Sequence, residues 1–386
     1  MTKIYLIRHA EAEGNLYRRM HGHYNSLITD NGYRQIQALA ERFKDIHIDA
    51  VYSSDLFRTM TTARAICDTK NLPLTTRPDL REIHMGDWED RTFAAISMVE
   101  PEMMGYFAQS SPLYRAPNGE SFQEVRDRGS AAILDIAAQH EGQTVAIFAH
   151  GTLIRNSLAA FQGIGPEGMH KMKHSDNTAV AYLEVEKGKV AVIFADDNSH
   201  LSEEISTLAQ QHWWKGDSKK VDVNLWFRPA DLNDPADRDF YLASRQEAWE
   251  NLYGQLDHYD GPGFLAEAEG VWKKYPQSIQ IGMKGKRPAG LVQVDPDRPG
   301  GFISFLYLTP KDRGNNVGVQ LLGKAISILR PLGREVLRLT CSEKNQAALA
   351  FYKKYGFQVV GTTPGVYNDL YEMEKYIGYE RRGDLF

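Results

Sequence analysis

Arg8-His9, Ser53-Ser54 with Arg58 close behind, and His150-Gly151 each end a short apolar run in the first half of this 386-residue chain. Taken singly, each is an ordinary strand end. Together they describe one chemistry. Arginine forks match phosphate oxygens in a bidentate way. A neutral imidazole can attack phosphorus, and a phosphohistidine splits one difficult step into two. Fixed donors must hold the charge on the transferring group, and a nearby carboxylic acid can protonate the departing oxygen and later activate water. No aspartate cluster suited to magnesium stands out, so no metal is expected. In the second half, the loop Thr309-Pro-Lys-Asp-Arg-Gly-Asn-Asn-Val-Gly318 opens a helix. A glycine-containing loop at a helix N-terminus presents free amides and the positive dipole end, and Lys311 and Arg313 add charge.

The elements that position these residues follow from periodicity. Lys3–Ile7, Ala50–Ser54 and Thr144–Ala149 read as strands. Asn31–Lys44 has helical spacing with Ile36, Leu39, Ala40 and Phe43 on one face, and Leu56–Cys67, Ser121–Gln139 and a segment from Thr152 read as further helices. Ala179–Glu186 and the run from Lys189 form a hairpin about the Glu186–Lys189 turn. Alternating strands and helices imply a mostly parallel sheet covered on both faces, with ligands beyond the carboxyl ends of its strands. The second half predicts a strand over Val221–Phe227 and a helix over Pro235–Tyr253. Antiparallel strands at Ile279–Met283, Ala289–Val294 and Phe302–Leu308 follow, then a helix over Val319–Arg330.

Composition bounds the rest. At about 150 residues per domain the length implies two to three domains. Hydrophobic residues make up 42% and charged residues 25%, which excludes wholesale disorder. Mean hydropathy is −0.45, and no apolar stretch approaches the ~20 residues of a membrane helix. A net charge of −5 gives no global attraction to nucleic acid. The two cysteines, Cys67 and Cys341, exclude a disulfide scaffold and a four-cysteine zinc site. With no signal-peptide pattern at the N-terminus, the expected compartment is the cytoplasm. The seam falls near residue 215, giving domains over 1–210 and 218–380. Trp213 and Trp214 at this seam are candidates for sealing the two domains or for a subunit contact in a homodimer.

The first region resembles the histidine phosphatase (phosphoglycerate mutase-like) superfamily over roughly residues 1–205. The resemblance rests on Leu6-Ile-Arg-His-Ala-Glu-Ala-Glu-Gly-Asn15, Gly32–Ala40, Ser53-Ser-Asp-Leu-Phe-Arg-Thr-Met-Thr-Thr-Ala63, Leu80-Arg-Glu-Ile-His-Met-Gly-Asp-Trp-Glu89, Asn118–Ser121 and Ala149-His-Gly151. It implies a three-layer α/β/α domain with His9 as nucleophile and Glu82 as proton donor. Arg8, Arg58 and His150 would bind the phosphoryl group, assisted by Asn15 and the Gly151 amide. Ala10 stands where the family often has glycine, Ala12 where serine or threonine is frequent, and Asp90 where glycine is usual. About thirty residues separate Trp88 from Gly119, which favours a small-molecule phosphatase over a mutase. The specificity loop is expected at Arg91–Pro117, with Met98, Met103, Met104, Tyr106, Phe107 and Tyr114, unless that segment is a cap packed on itself. His21 and His23 are either loop residues or lie at the mouth of the site.

The second region resembles the GCN5-related N-acetyltransferase (GNAT) family over about 221–377. Arg313-Gly-Asn-Asn-Val-Gly318 with Leu321-Leu322 resembles its pyrophosphate-binding motif. Asn345-Gln-Ala-Ala-Leu-Ala-Phe-Tyr-Lys-Lys-Tyr-Gly-Phe357 resembles its late helix and strand. An α+β domain with a mixed sheet is implied. Acetyl-CoA would be held by residues Arg313, Gly314, Asn315, Asn316, Val317 and Gly318 and by Asn345. The end of the Phe302–Leu308 strand would orient the acetyl arm, and Tyr352 would protonate the departing thiolate. Asn316 replaces a usual glycine, and asparagine tolerates a left-handed backbone better than most residues. The expected function is bifunctional: hydrolysis of a small phosphorylated metabolite and acetylation of an amine acceptor. The alternatives are a phosphatase with a non-catalytic sensing or docking GNAT-like domain, and a phosphoglycerate mutase-type phosphotransferase.

Overall fold

In the computed structural model, which describes residues 1–211 and 223–379, the chain forms two compact units, one on each side of residue 222. The first is built on six strands: β1 (Thr2–Arg8), β2 (Ala50–Ser53), β3 (Leu74–Thr76), β4 (Thr144–Ala149), β5 (Val180–Glu186) and β6 (Lys189–Asp197). Their order is β3-β2-β4-β1-β5-β6. The first four are mutually parallel, and β5 and β6 add an antiparallel hairpin at one edge. The hairpin turn has positive φ at both Lys187 and Gly188, as the two-residue turn matched to strand twist requires.

Both faces of this sheet are covered, as the sequence predicts. On one side Ile36, Leu39 and Phe43 of the helix Asp30–Phe43 and Ile66 of the helix Phe57–Lys70 bury against Ile7 and Phe148. On the other, the helices Phe122–Gln139 and Gly151–Phe161 pack Ile133, Ile136, Leu153 and Leu158 against Ile4, Leu6 and Ile147. Helix starts are capped locally. Ser121 accepts from the Glu124 amide while Glu124 reaches back to the Ser121 amide, the reciprocal pairing that fixes a first turn.

The second unit has seven strands: β7 (Trp226–Pro229), β8 (Ile279–Lys284), β9 (Arg287–Asp295), β10 (Phe302–Leu308), β11 (Val336–Ser342), β12 (Gln358–Thr363) and β13 (Leu370–Tyr376). Their order is β12-β13-β11-β10-β9-β8-β7, and every neighbouring pair is antiparallel except β10 and β11. Of the strand expected over Val221–Phe227, the described residues 223–225 are not in the ladder, and β7 begins at Trp226. Residues 223–225 are held by a side chain instead of a ladder: the buried Gln320 accepts from the Leu225 amide and donates to the Val223 carbonyl. Val221, Asp222, Trp213 and Trp214 lie outside the described residues. Among the described residues no helix is long and apolar enough to cross a membrane.

Candidate active site

Register brings the first set of candidates together. Ala149 of β4 pairs with Arg8 of β1 and Phe148 pairs with Ser53 of β2, so three strands end level with one another. The next residues are therefore neighbours. The His9 and His150 rings lie 5.2 Å apart, and both are buried. His9 Nδ1 is 2.7 Å from the Ala10 carbonyl, which can only accept. Nδ1 thus carries the proton, and the lone pair sits on Nε2. Burial, with Arg58 and Arg8 nearby, holds the His9 imidazole well below its ordinary pKa, so it is neutral at pH 7.

His150 begins the helix Gly151–Phe161. Its Nε2 lies 2.7 Å from Ser54 Oγ at the tip of β2, and its Nδ1 is buried without a protein partner. Burial first, then Arg58, pushes its pKa down too. Gly151 allows close approach: a Cβ there would stand 3.1 Å from Arg8 Nε. Arg8 donates through Nη1 to the Ser175 carbonyl, and its Nε is buried and unpartnered.

Arg58 is buried and donates only to carbonyls, Nη1 to Tyr24 at 2.9 Å and Nη2 to Gly22 at 2.6 Å. Burial lowers its pKa to about 10, opposed by the charges of Glu82 and Glu89. The turn that supplies those carbonyls is fixed from its other side. Glu89 accepts from the amides of Gly22, His23 and Tyr24 at 3.1, 2.6 and 2.8 Å. Neither Arg8 nor Arg58 forms an ion pair with a carboxylate among the described residues. Two inward-facing guanidiniums without a resident anion make a place for one.

Glu82 is buried at the opening of the helix Gly151–Phe161. Its Oε1 accepts from the Ile83 and Leu153 amides at 2.9 and 3.1 Å, and its Oε2 from the Thr152 amide at 3.1 Å. Asn15 reaches the site through Asn177, whose Nδ2 donates to the His9 carbonyl at 2.9 Å and to Asn15 Oδ1 at 3.4 Å. The sequence marks Ser54 as one of the converging strand ends without giving it a role, and it does not point to Asn177. The polar run His174–Thr178 ahead of an apolar strand was the available signal, because Asp176, Asn177 and Thr178 are all buried.

One departure from the family pattern has a local account. Asp90 has φ +55°, the left-handed conformation that favours glycine, and its carboxylate accepts from Arg19 Nε and lies 3.0 Å from His21 Nε2. His23 Nε2 donates to the Glu82 carbonyl at 2.9 Å. Both histidines therefore back the acidic segment. The Arg91–Pro117 segment forms the short helices Phe93–Val99 and Pro101–Ala108. Its Tyr114 is sealed against Trp88, Phe107 and Phe122, with ring centroids 5.6, 5.0 and 4.7 Å away, and Met103, Met104, Tyr106 and Phe107 are partly buried on the same core. These side chains pack as a cap, while Met98 is exposed.

In the second unit β10 and β11 pair only at Phe302–Arg338 and Ile303–Leu339, then part. The helices Gly318–Leu329 and Gln346–Lys354 start beyond the ends of these two strands. Asn316 has φ +56° and Gly314 φ +76°, so the loop uses the left-handed conformation at both. Gly318 sits against the Phe351 ring, which a Cβ would meet at 3.1 Å. Arg313 was expected to add charge to this loop. It is instead ion-paired to Glu247 at 2.5 Å and donates to the Leu308 carbonyl, so it braces the loop. Asn345 Oδ1 caps its helix through the Ala348 amide at 3.1 Å. Tyr352 is buried, and desolvation, aided by the Cys341 thiol, pushes its phenol pKa up, keeping it protonated. The left-handed loop, the helix start and the parted strands fit a pyrophosphate and an extended thioester arm.

Residues 4–198 match the histidine phosphatase superfamily (branch 1), and residues 237–357 match the acetyltransferase (GNAT) family. A probable phosphoglycerate mutase GpmB of Proteus mirabilis is 35% identical over 164 residues, which is 42% of this chain and 76% of that protein. Phosphoglycerate mutase-like protein 4 of Arabidopsis thaliana is 32% identical over 206 residues, 52% of this chain and 88% of that protein. The solved structure of YhfR from Bacillus stearothermophilus aligns with a TM-score of 0.51 at 33% identity, covering 52% of this chain and all of that one. The chain belongs to the histidine phosphatase superfamily, with a GNAT-family acetyltransferase domain fused behind the phosphatase-like one.

Proposed function

We propose that the chain is a bifunctional cytoplasmic enzyme whose first domain, 1–210, hydrolyses a small phosphate ester and whose second, 218–380, acetylates an amine. The observation that carries the first half is the pair of guanidiniums, Arg8 and Arg58, with no carboxylate partner among the described residues, beside a His9 whose Nδ1 is engaged and whose Nε2 carries the lone pair. His9 Nε2 attacks phosphorus, and the bond to the alcohol oxygen breaks as Glu82 gives that oxygen a proton. Oε2, with a single amide donor, is the oxygen suited to carry it. Arg8, Arg58, His150, Asn15 and the Gly151 amide hold the phosphoryl oxygens. Water, deprotonated by Glu82, then attacks the phosphohistidine, releasing phosphate and restoring His9.

In the second domain, amides of residues 314–318 and Asn345 would hold acetyl-CoA. The amine nitrogen attacks the thioester carbonyl, the carbon–sulfur bond breaks, Tyr352 protonates the thiolate, and the new amide loses its extra proton to water. Phosphate release from a panel of phosphorylated metabolites, with His9→Ala as control, tests the first half. Release that survives in His9→Ala sinks it. The names of the Proteus and Arabidopsis relatives support a second reading, a mutase. Isomerised phosphoglycerate without net phosphate release would favour that reading. Acetyl-CoA binding without transfer to any amine would favour a sensing or docking role for the second domain.

A further inference from the structure

Arg245 lies on the helix Pro235–Tyr253 with its guanidinium carbon 4.0 Å from the Phe305 ring centroid and 4.8 Å from that of Phe264. Its Nε donates to Tyr241 Oη at 3.1 Å and its Nη2 to Gln293 Oε1 at 2.9 Å. Tyr241 and Gln293 are both buried, so the plane of the guanidinium is fixed. Its remaining terminal nitrogen, Nη1, bonds to no described residue and is not among the nitrogens sealed from solvent.

Five other arginines of this unit behave differently: Arg228, Arg238, Arg287, Arg313 and Arg338 each pair with a carboxylate. Arg298 also stacks on a single ring, that of Phe302, without such a pair. Arg245 has no carboxylate within ion-pair distance among the described residues, and its guanidinium lies against two rings while two buried side chains fix it. A guanidinium stacked on aromatic faces and stripped of counter-charge is a costly arrangement for packing alone, and a ready one for a ligand oxyanion.

Its place in the sheet says which ligand. Phe305 belongs to β10 beyond Ile303, the last residue that pairs with β11. Arg245 therefore leans on the stretch of β10 that borders the opening between the parted strands. Farther along the same helix, Tyr253 and Trp249 contact Tyr367 of the β12–β13 connection, at 4.8 and 6.2 Å between centroids. These aromatic faces continue the wall.

We propose that the acetyl acceptor is an amine that also bears an oxyanion, a carboxylate or a phosphate, and that Arg245 binds this group. The proposal rests on the transferase reading of the second domain, and the test separates the two. Thiol release from acetyl-CoA by the full chain is measured with matched acceptors: phenylalanine against phenethylamine for carboxylate, and phosphoethanolamine against ethanolamine for phosphate. The expected kcat/KM is at least tenfold higher for the anionic member of one pair, and which pair shows it identifies the oxyanion. Arg245→Met is expected to raise KM for that member about 100-fold and to abolish the preference, and Arg245→Lys to restore part of it. Preference for the members that lack the oxyanion overturns the proposal, as does equal loss on both members in Arg245→Met. If no amine releases thiol, the transferase reading fails, and calorimetric titration of the same acceptors into the full chain decides the site. Binding of an anionic amine that Arg245→Met abolishes supports it; no binding of either anionic amine overturns it.

Discussion

The Ser54 hydroxyl lies 2.7 Å from His150 Nε2, so the tips of two neighbouring strands share one hydrogen bond. When Ser54 donates, Nδ1 of His150 carries the proton and, on the proposed function, would be the donor to the phosphoryl group. Ser54→Ala is expected to lower kcat for phosphate release about tenfold, the equivalent of roughly 1.4 kcal/mol in the barrier, with the protein still folded. Steady-state phosphate release with a circular-dichroism control checks it. An unchanged kcat would mean that His150 needs no anchor.

Arg58 supplies two nitrogens to carbonyls, and the proposed function gives its charge to the phosphoryl group. A lysine keeps the charge but cannot span the Tyr24 and Gly22 carbonyls together. Arg58→Lys is therefore expected to lose about 10²–10³-fold in kcat/KM, as for loss of a preorganised donor. A loss under fivefold would show that charge alone suffices.

Stability should depend on pH through buried histidines. Burial lowers His174, beside Arg155 and Arg8, and His200, beside Arg42, from 6.5 to about 4. Above pH 6.5 both are neutral in the folded and unfolded chain, and stability is full. Below it the unfolded chain binds protons that the folded chain refuses. Stability falls from about pH 6.5 to about pH 4, at most about 1.4 kcal/mol per pH unit for each group. Denaturant titration at stepped pH measures the slope. His174→Gln with His200→Gln should make it shallower, with the buried His9 and His150 keeping their own share, and an unaltered slope would refute the assignment.

The Asn316 backbone is left-handed, where a β-branched side chain is strained by about 1–2 kcal/mol. Asn316→Val is expected to weaken acetyl-CoA binding about tenfold, and Asn316→Gly to bind at least as tightly as the parent. Calorimetry distinguishes them, and equal affinity in all three would remove the loop conformation from the binding site.

Much of the architecture is legible from chain patterns. Arg8-His9, Ser53-Ser54 and His150-Gly151 mark strand ends because apolar runs stop there, and parallel pairing then sets the ends side by side. Residues 223–225 fall outside the expected strand because Gln320, about a hundred residues away, takes backbone groups of Val223 and Leu225 that a ladder would use. Tyr114 and Phe107 have the composition of a substrate loop, yet they pack against Trp88 and Phe122, which leaves Tyr114 buried and Phe107 half-buried. The contact of Glu89 with three amides has no local signature, since it depends on how two distant loops meet. Arg245 likewise looks like an ordinary surface position on a polar helix until Phe264 and Phe305 close over it.

The turn at residues 22–24 directs its amides to Glu89, and carbonyls of the same turn face Arg58. The carboxylate thus influences the guanidinium through polarised peptide groups and never touches it. On the proposed function, an arriving phosphoryl group would meet a cation that is already oriented but not neutralised by any carboxylate among the described residues. It would have no such carboxylate to displace on entry and none to wait for on leaving.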